Sequence, residues 1–225
     1  DTAALTRWAV PFEAPPASTP PPPLLAGRTI AVARDAAFCF IYPANLATLQ
    51  ALGASLVFFS PLANEPLPAC DAVWLPGGYP ELHAAELAAS QRCRAGLAAH
   101  LQAGRPVWAE CGGMLLLMDG LRTHEGGAHA MWGLLPGQAA MQPRLVALGP
   151  QRLDLPAGAL RGHTFHHSRT ESPLTPIGRT VPQRGGAGEA LYQAGGLRAS
   201  YFHAWFPSCP EAVVELFTPA HKGAA

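Results

Sequence analysis

The sequence predicts an α/β fold with a doubly wound, mostly parallel sheet and helices on both faces. Three observations predict it. Short apolar runs of buried-strand type recur through the first half, helix-forming segments that stop at glycine separate them, and two of the runs break directly into glycine pairs. Ligands of such folds gather at the carboxyl ends of the strands, where both glycine pairs fall.

Thr29-Ile30-Ala31-Val32-Ala33 is rich enough in branched residues for a buried strand, and Pro43 to Leu52 carries helix formers up to Gly53, a natural residue just past a helix end. Ser55 to Phe59 is the second strand. Ala72 to Leu75 is the third, and it runs into Pro76-Gly77-Gly78-Tyr79-Pro80. Ser90 is placed to cap a helix through Gln102 that ends at Gly104, after which Val107 to Ala109 forms the fourth strand. The second half is less regular. Met141 to Leu148, Gly162 to Glu171 and Ala199 to Phe206 read as strands, and the Gly-rich stretch from Arg179 to Gly196 reads as loop or hairpin.

Composition bounds the class of molecule. With 225 residues, 49% hydrophobic and 13% charged, the chain can build one large core and is short for two enzymatic domains. Lys plus Arg and Asp plus Glu number 15 each, which leaves no electrostatic footprint for nucleic acid or an anionic membrane. No run is long and apolar enough to span a bilayer, so the cytoplasm is the default expectation. Cys39, Cys70, Cys93, Cys111 and Cys209 form no CxxC pair and are odd in number, and they read as free thiols. Residues 1–27 read as a proline-rich linker, largely extended or disordered, with the folded domain over 28–225. Because the chain opens on Asp1 with only a few residues ahead of the proline-rich stretch from Pro11 to Pro23, it is expected to be the C-terminal piece of a longer protein, the alternative being a complete protein with a processed N-terminus.

The run Val107-Trp108-Ala109-Glu110-Cys111-Gly112-Gly113-Met114 carries the chemistry. A cysteine on a strand-to-helix turn projects its sulfur above the sheet, where the following peptide N–H groups favour a thiolate and a nearby oxyanion. The alternative is a small buried cysteine packed at a strand end. A thiol nucleophile also needs a base, and two groups among the nine histidines qualify. One is the Arg161–Arg169 run with His163, His166 and His167. The other is His203, a lone polar residue in the apolar run Ser200 to Phe206, for which the sulfur would be a partner. His203 is the better base. His163 and His166 suit substrate contact or a polar loop network, since neither has the carboxylate or thiolate neighbours a metal site needs.

These residues resemble a family. Ala31 to Phe38, Leu75-Pro76-Gly77-Gly78-Tyr79-Pro80-Glu81-Leu82-His83, Ala109 to Met114, Arg161 to His166 and Ala199 to His203 are together similar to the C-terminal glutaminase domain of the cobyrinate and hydrogenobyrinate a,c-diamide synthases. Those belong to the class I glutamine amidotransferase-like group, of flavodoxin-like fold, and the similarity runs from about Arg28 to about Pro210. It implies that Cys111 attacks the side-chain carbonyl of L-glutamine while His203 takes and returns the proton. It also implies oxyanion donors at the N–H of Gly112 and in the Gly77-Gly78 turn. The ammonia would serve ATP- and Mg2+-dependent amidation of two corrin-precursor carboxylates on an N-terminal ATP-binding domain. This chain has no GxxxxGK[ST] phosphate loop, so no cofactor is expected within it.

One position departs from the pattern. Where many class I glutaminases carry a glutamate two residues after the histidine, this chain has Trp205, and Glu110 or Glu211 would have to substitute. A non-catalytic docking domain and a cysteine hydrolase of another substrate remain the alternatives.

Overall fold

In the computed structural model, which describes residues 4, 7–10 and 20–219, the first half forms the elements its pattern predicts. They are β1 (Thr29–Ala33), α1 (Pro43–Ala51), β2 (Ser55–Phe59), β3 (Ala72–Leu75), α2 (Ala84–Ala89), α3 (Gln91–Gln102), β4 (Val107–Glu110) and α4 (Gly112–Leu117). β1, β3 and β4 are buried from their second residue onward, as strands covered on both faces must be. Ser90 sits at the start of α3 but does not cap it. Its hydroxyl donates to the Pro61 carbonyl (2.6 Å), and Asn64 Oδ1 accepts from Arg92 and Cys93 N–H instead.

Short strands dominate the rest: β5 (Gly120–Arg122), β6 (Ala128–Ala130), β7 (Gln138–Met141), β8 (Ala147–Leu155), β9 (Gly158–His166), β10 (Ser168–Glu171), β11 (Gly178–Arg179), β12 (Val181–Pro182), β13 (Ala190–Ala194), β14 (Leu197–Ser200) and β15 (His203–Trp205), with α5 (Pro210–Leu216) last. They correct the expected boundaries. The strand expected over 141–148 is two strands, because the chain turns at Pro143, which has no N–H to give a ladder, while Gln142 N–H pairs with the His167 carbonyl. The strand expected over 162–171 starts at Gly158 and breaks at His167. The one expected over 199–206 breaks at Tyr201-Phe202, which moves His203 out of the central sheet.

That sheet has seven strands in the order β11-β13-β14-β4-β3-β1-β2. From β14 to β2 every pairing is parallel, while β13 and β11 add antiparallel strands at one edge. One apolar layer packs Leu87, Leu97, Met114, Leu116 and Trp132 on the α2–α4 face, and another packs Leu49, Leu52, Val213, Leu216 and Phe206 on the α1 and α5 face. Two four-stranded sheets, β10-β7-β5-β6 and β12-β8-β9-β15, complete the chain.

The folded unit begins ahead of residue 28. Leu25 is fully buried in the α1 layer and its N–H donates to the Leu52 carbonyl (2.7 Å). Of the linker expected over 1–27, residues 1–3, 5, 6 and 11–19 lie outside the described residues. Leu25→Ala should therefore destabilise the chain by about 2–5 kcal/mol, the usual cost of emptying a buried leucine site. Urea unfolding checks it, and a loss within about 0.5 kcal/mol, typical of a surface change, would return Leu25 to the linker.

Candidate active site

Two strand-to-helix turns meet at the carboxyl edge of the central sheet. β4 ends at Glu110, and Cys111 follows with φ 44° and ψ −105°, a left-handed conformation for a residue other than glycine. Two hydrogen bonds fix the turn. Cys111 N–H donates to the Ser200 carbonyl on β14 (2.8 Å), and its carbonyl accepts from Leu115 N–H in α4 (3.0 Å).

β3 ends in the Gly77-Gly78 turn, which packs directly on the first. A Cβ at Gly112 would stand 2.9 Å from Gly78 N, and one at Gly78 would strike the Ala37 carbonyl, so backbones approach here that side chains would hold apart. Gly78 N–H donates to no group among the described residues. The Gly112 N–H acts on the Cys111 thiol in the direction that favours its ionised form. The Gly78 and Gly112 backbones thus lie against each other at the Cys111 turn.

His203 faces the same turn from the other side, since a Cβ on Gly77 would collide with its ring. It belongs to β15, antiparallel to β9, and stacks on His163 with ring centroids 4.9 Å apart and planes at 12°. The structure brings His203 to the Gly77-Gly78 turn but does not hydrogen-bond it to Cys111. Neither ring nitrogen has a partner among the described residues, which corrects the expectation that the sulfur supplies one. Glu211, in the first turn of α5, accepts from the Cys209 thiol (3.8 Å) and makes no bond to His203. Glu110 Oε1 accepts from Trp108 Nε1 (2.7 Å) and from Ala204 N–H (3.2 Å), so it grips the backbone next to His203 and leaves the imidazole alone.

Sequence reasoning passed over Tyr42, whose hydroxyl meets His163 Nε2 at 2.6 Å, and the group around His166. The His166 ring stacks on Tyr201 at 3.6 Å, Nδ1 donates to the Ser168 carbonyl, and Nε2 lies 3.2 Å from Glu189 Oε1. His163 and His166 are thus held in polar networks. A cavity of about 420 Å3 lined by Tyr201, His166, Glu189, Arg169 and Arg179 adjoins this group, and Cys111 is not on its wall.

Burial sets the electrostatics. The Cys111 thiol is pushed up to about 12, first by desolvation, with Glu81, Glu110 and Glu189 adding and the Gly112 N–H opposing. His203 is lowered to about 3 by desolvation, with His163 and His166 contributing in the same direction. Before substrate arrives the pair rests as thiol and neutral imidazole. Glu110, raised to about 8 by complete burial, is a protonated acid at neutral pH.

Residues 29–210 match the model of the CobB/CobQ-like glutamine amidotransferase domain. The chain is 54% identical over 198 residues to a hydrogenobyrinate a,c-diamide synthase of Stutzerimonas stutzeri, covering 88% of this chain and 46% of the relative. It is 52% identical over 202 residues to a cobyrinate a,c-diamide synthase of Herminiimonas arsenicoxydans, with the same coverage of 88% and 46%. The chain therefore spans less than half the length of these curated relatives. Among solved structures it is similar in fold to PurLQS from Thermotoga maritima, with TM-score 0.53, 13% identity and coverage of 78% of this chain and 87% of that one. A structure described as a glutamine amidotransferase gives TM-score 0.51 at 18% identity, covering 82% and 92%. No helix among the described residues is long and apolar enough to cross a membrane.

The ligand-free thiol is protected by burial, whereas Cys39 is exposed. Iodoacetamide at neutral pH should modify Cys39 at least about tenfold faster than Cys111, since only the thiolate reacts. Peptide mapping by mass spectrometry over time reads both rates, and equal rates would mean that Cys111 rests partly ionised.

Proposed function

The chain belongs to the CobB/CobQ-like glutamine amidotransferase domain family, and from that premise we propose that Cys111 and His203 hydrolyse L-glutamine to supply ammonia for ATP-dependent a,c-diamidation of cobyrinate or hydrogenobyrinate. The observation that carries the reading is the pairing of the Gly112 and Gly78 backbones beside a strained Cys111, with His203 across the same turn. An acyl-transfer site needs a nucleophile, a base and N–H donors within one carbonyl's reach, and Cys111, His203 and the two glycine backbones are the groups we assign to those roles.

In this mechanism the sulfur bonds to the glutamine side-chain carbonyl carbon as the thiol proton passes to a His203 ring nitrogen. The oxyanion is met by the N–H groups of Gly112 and Gly78. Collapse breaks the carbon–nitrogen bond, the imidazolium proton goes to the departing nitrogen, and ammonia leaves behind a glutamyl thioester. Water, deprotonated by the same imidazole, then releases glutamate and restores the thiol. Neutral imidazole is the form this base must have, and burial favours that form.

The acceptor reaction belongs to a part of the protein outside this chain. No GxxxxGK[ST] loop occurs here, and among the described residues no three His, Cys, Asp or Glu side chains converge as metal ligands. No step above passes through ATP or Mg2+. We place both on an N-terminal domain of the same polypeptide, as the partial coverage of the relatives suggests, working in the cytoplasm, where free thiols persist.

In the complete synthase Cys111→Ser should reduce glutamine-dependent amidation by at least about 1,000-fold while ammonia-dependent amidation stays within about twofold, because the thiolate serves only to release ammonia. Equal loss of both activities, with the fold intact by circular dichroism, would contradict the two-site scheme. A second outcome follows from the unengaged His203. This chain alone should release glutamate slowly, and adding the N-terminal domain with ATP, Mg2+ and corrin precursor should accelerate it by about tenfold or more, as docking that assembles a site does. Full-rate turnover by the isolated chain would make it a self-sufficient glutaminase.

A further inference from the structure

β15 is three residues long and pairs along one edge only, with β9. Its other edge is buried, where unpaired peptide groups are costly. Two fully buried side chains take the place of a strand there. Ala204 N–H donates to Glu110 Oε1 (3.2 Å), the Ala204 carbonyl accepts from Asn45 Nδ2 (2.8 Å), and Phe206 N–H donates to Asn45 Oδ1 (2.9 Å). Asn45 comes from α1, and Glu110 is the last residue of β4, directly before the nucleophile.

This matters because the imidazole has no hydrogen bond of its own to aim it. Its place is set by the backbone of β15 and by contact with Gly77 and His163. We propose that Glu110 and Asn45 are positioning residues that fix His203 relative to Cys111, a role that rests on the glutaminase reading and stands where the missing carboxylate at Trp205 would otherwise orient the ring. Glu110 ties the base-bearing strand to the nucleophile-bearing strand through one oxygen, which is also anchored by Trp108 Nε1 (2.7 Å). The task needs an acceptor at that oxygen and no charge. A buried neutral acid performs it, and so would a glutamine side chain.

The test compares Glu110→Gln, Glu110→Leu and Asn45→Asp in the complete synthase. Glu110→Leu removes the acceptor, and kcat for glutamine hydrolysis should fall about tenfold or more with KM within about twofold, because only alignment in the transition state is lost. Glu110→Gln should keep kcat within about threefold of wild type, since the amide oxygen still accepts. Asn45→Asp, which loses the donor to the Ala204 carbonyl, should lower kcat in the same selective way and serves if Glu110→Leu does not fold. Wild-type kcat in folded Glu110→Leu or in Asn45→Asp would overturn the proposal, as would a loss in Glu110→Gln equal to that in Glu110→Leu. Amide hydrogen exchange at Ala204 reads the same contact without turnover. Protection should survive in Glu110→Gln and drop at least about tenfold when the acceptor is removed, in keeping with loss of one buried hydrogen bond. Should wild type release no glutamate, the glutaminase reading fails by itself, and unchanged Ala204 exchange in the variant lacking the acceptor would separately defeat the positioning role.

Discussion

The site exists because two strand-to-helix turns touch backbone to backbone. The chain leaves β3 through Gly77-Gly78 and β4 through Cys111-Gly112, and the two turns approach so closely that a Cβ at Gly112 would stand 2.9 Å from Gly78 N. At that contact Cys111 stands at φ 44°, a conformation costing about 1–3 kcal/mol. Bonds from Cys111 to Ser200 and Leu115, together with the buried side chains of α4, hold the strained residue in place. Parallel strands are what make the contact possible, since they deliver neighbouring carboxyl ends to one edge of one sheet.

The imidazole reaches that edge by a different route. The central sheet ends its parallel run at β14, and the chain breaks at Tyr201-Phe202 before starting β15 in another sheet. Cys111 is tied to β14 through the Ser200 carbonyl, whereas His203 is tied to β9 through the pairing with His163. Cys111 and His203, the proposed nucleophile and base, therefore sit on separate scaffolds that meet at the Gly77-Gly78 turn. Their mutual geometry depends on side-chain links such as Glu110 to Ala204, which no ladder of backbone bonds enforces.

The sequence announced one of these scaffolds far better than the other. β1, β2 and β3 were legible to the residue, because each is a short apolar run ended by a polar or glycine signal, and Cys111 was legible because two glycines follow a buried strand. The later strands were not. β8 and β9 alternate buried with exposed residues along nine positions each, but the breaks at Pro143 and His167 bound that pattern where composition gives little warning. Asn45 and Glu110 were harder still. Asn45 lies within a predicted helix and Glu110 at a predicted strand end, and what makes them important is contact with Ala204, 159 and 94 residues away. A buried polar residue in an apolar element was the available signal, and it marks a partner without naming one.

The resting charges of the pair follow from how deeply it is set. Burial drives the thiol up to about 12, and the nearby carboxyls of Glu81, Glu110 and Glu189 press in the same direction. Burial drives the imidazole down to about 3, so neither group ionises in advance. A site that stored a ready thiolate would react with any electrophile that reached it. In the proposed reaction the sulfur becomes nucleophilic as it meets a carbonyl, because charge leaving the thiol then settles on an oxyanion assigned to the N–H groups of Gly112 and Gly78. With His203 as the proposed base, turnover would be sensitive to small movements of β15. A domain docking against the half-exposed Trp205 or the stacked His163 would change the rate through position alone, without adding a catalytic group.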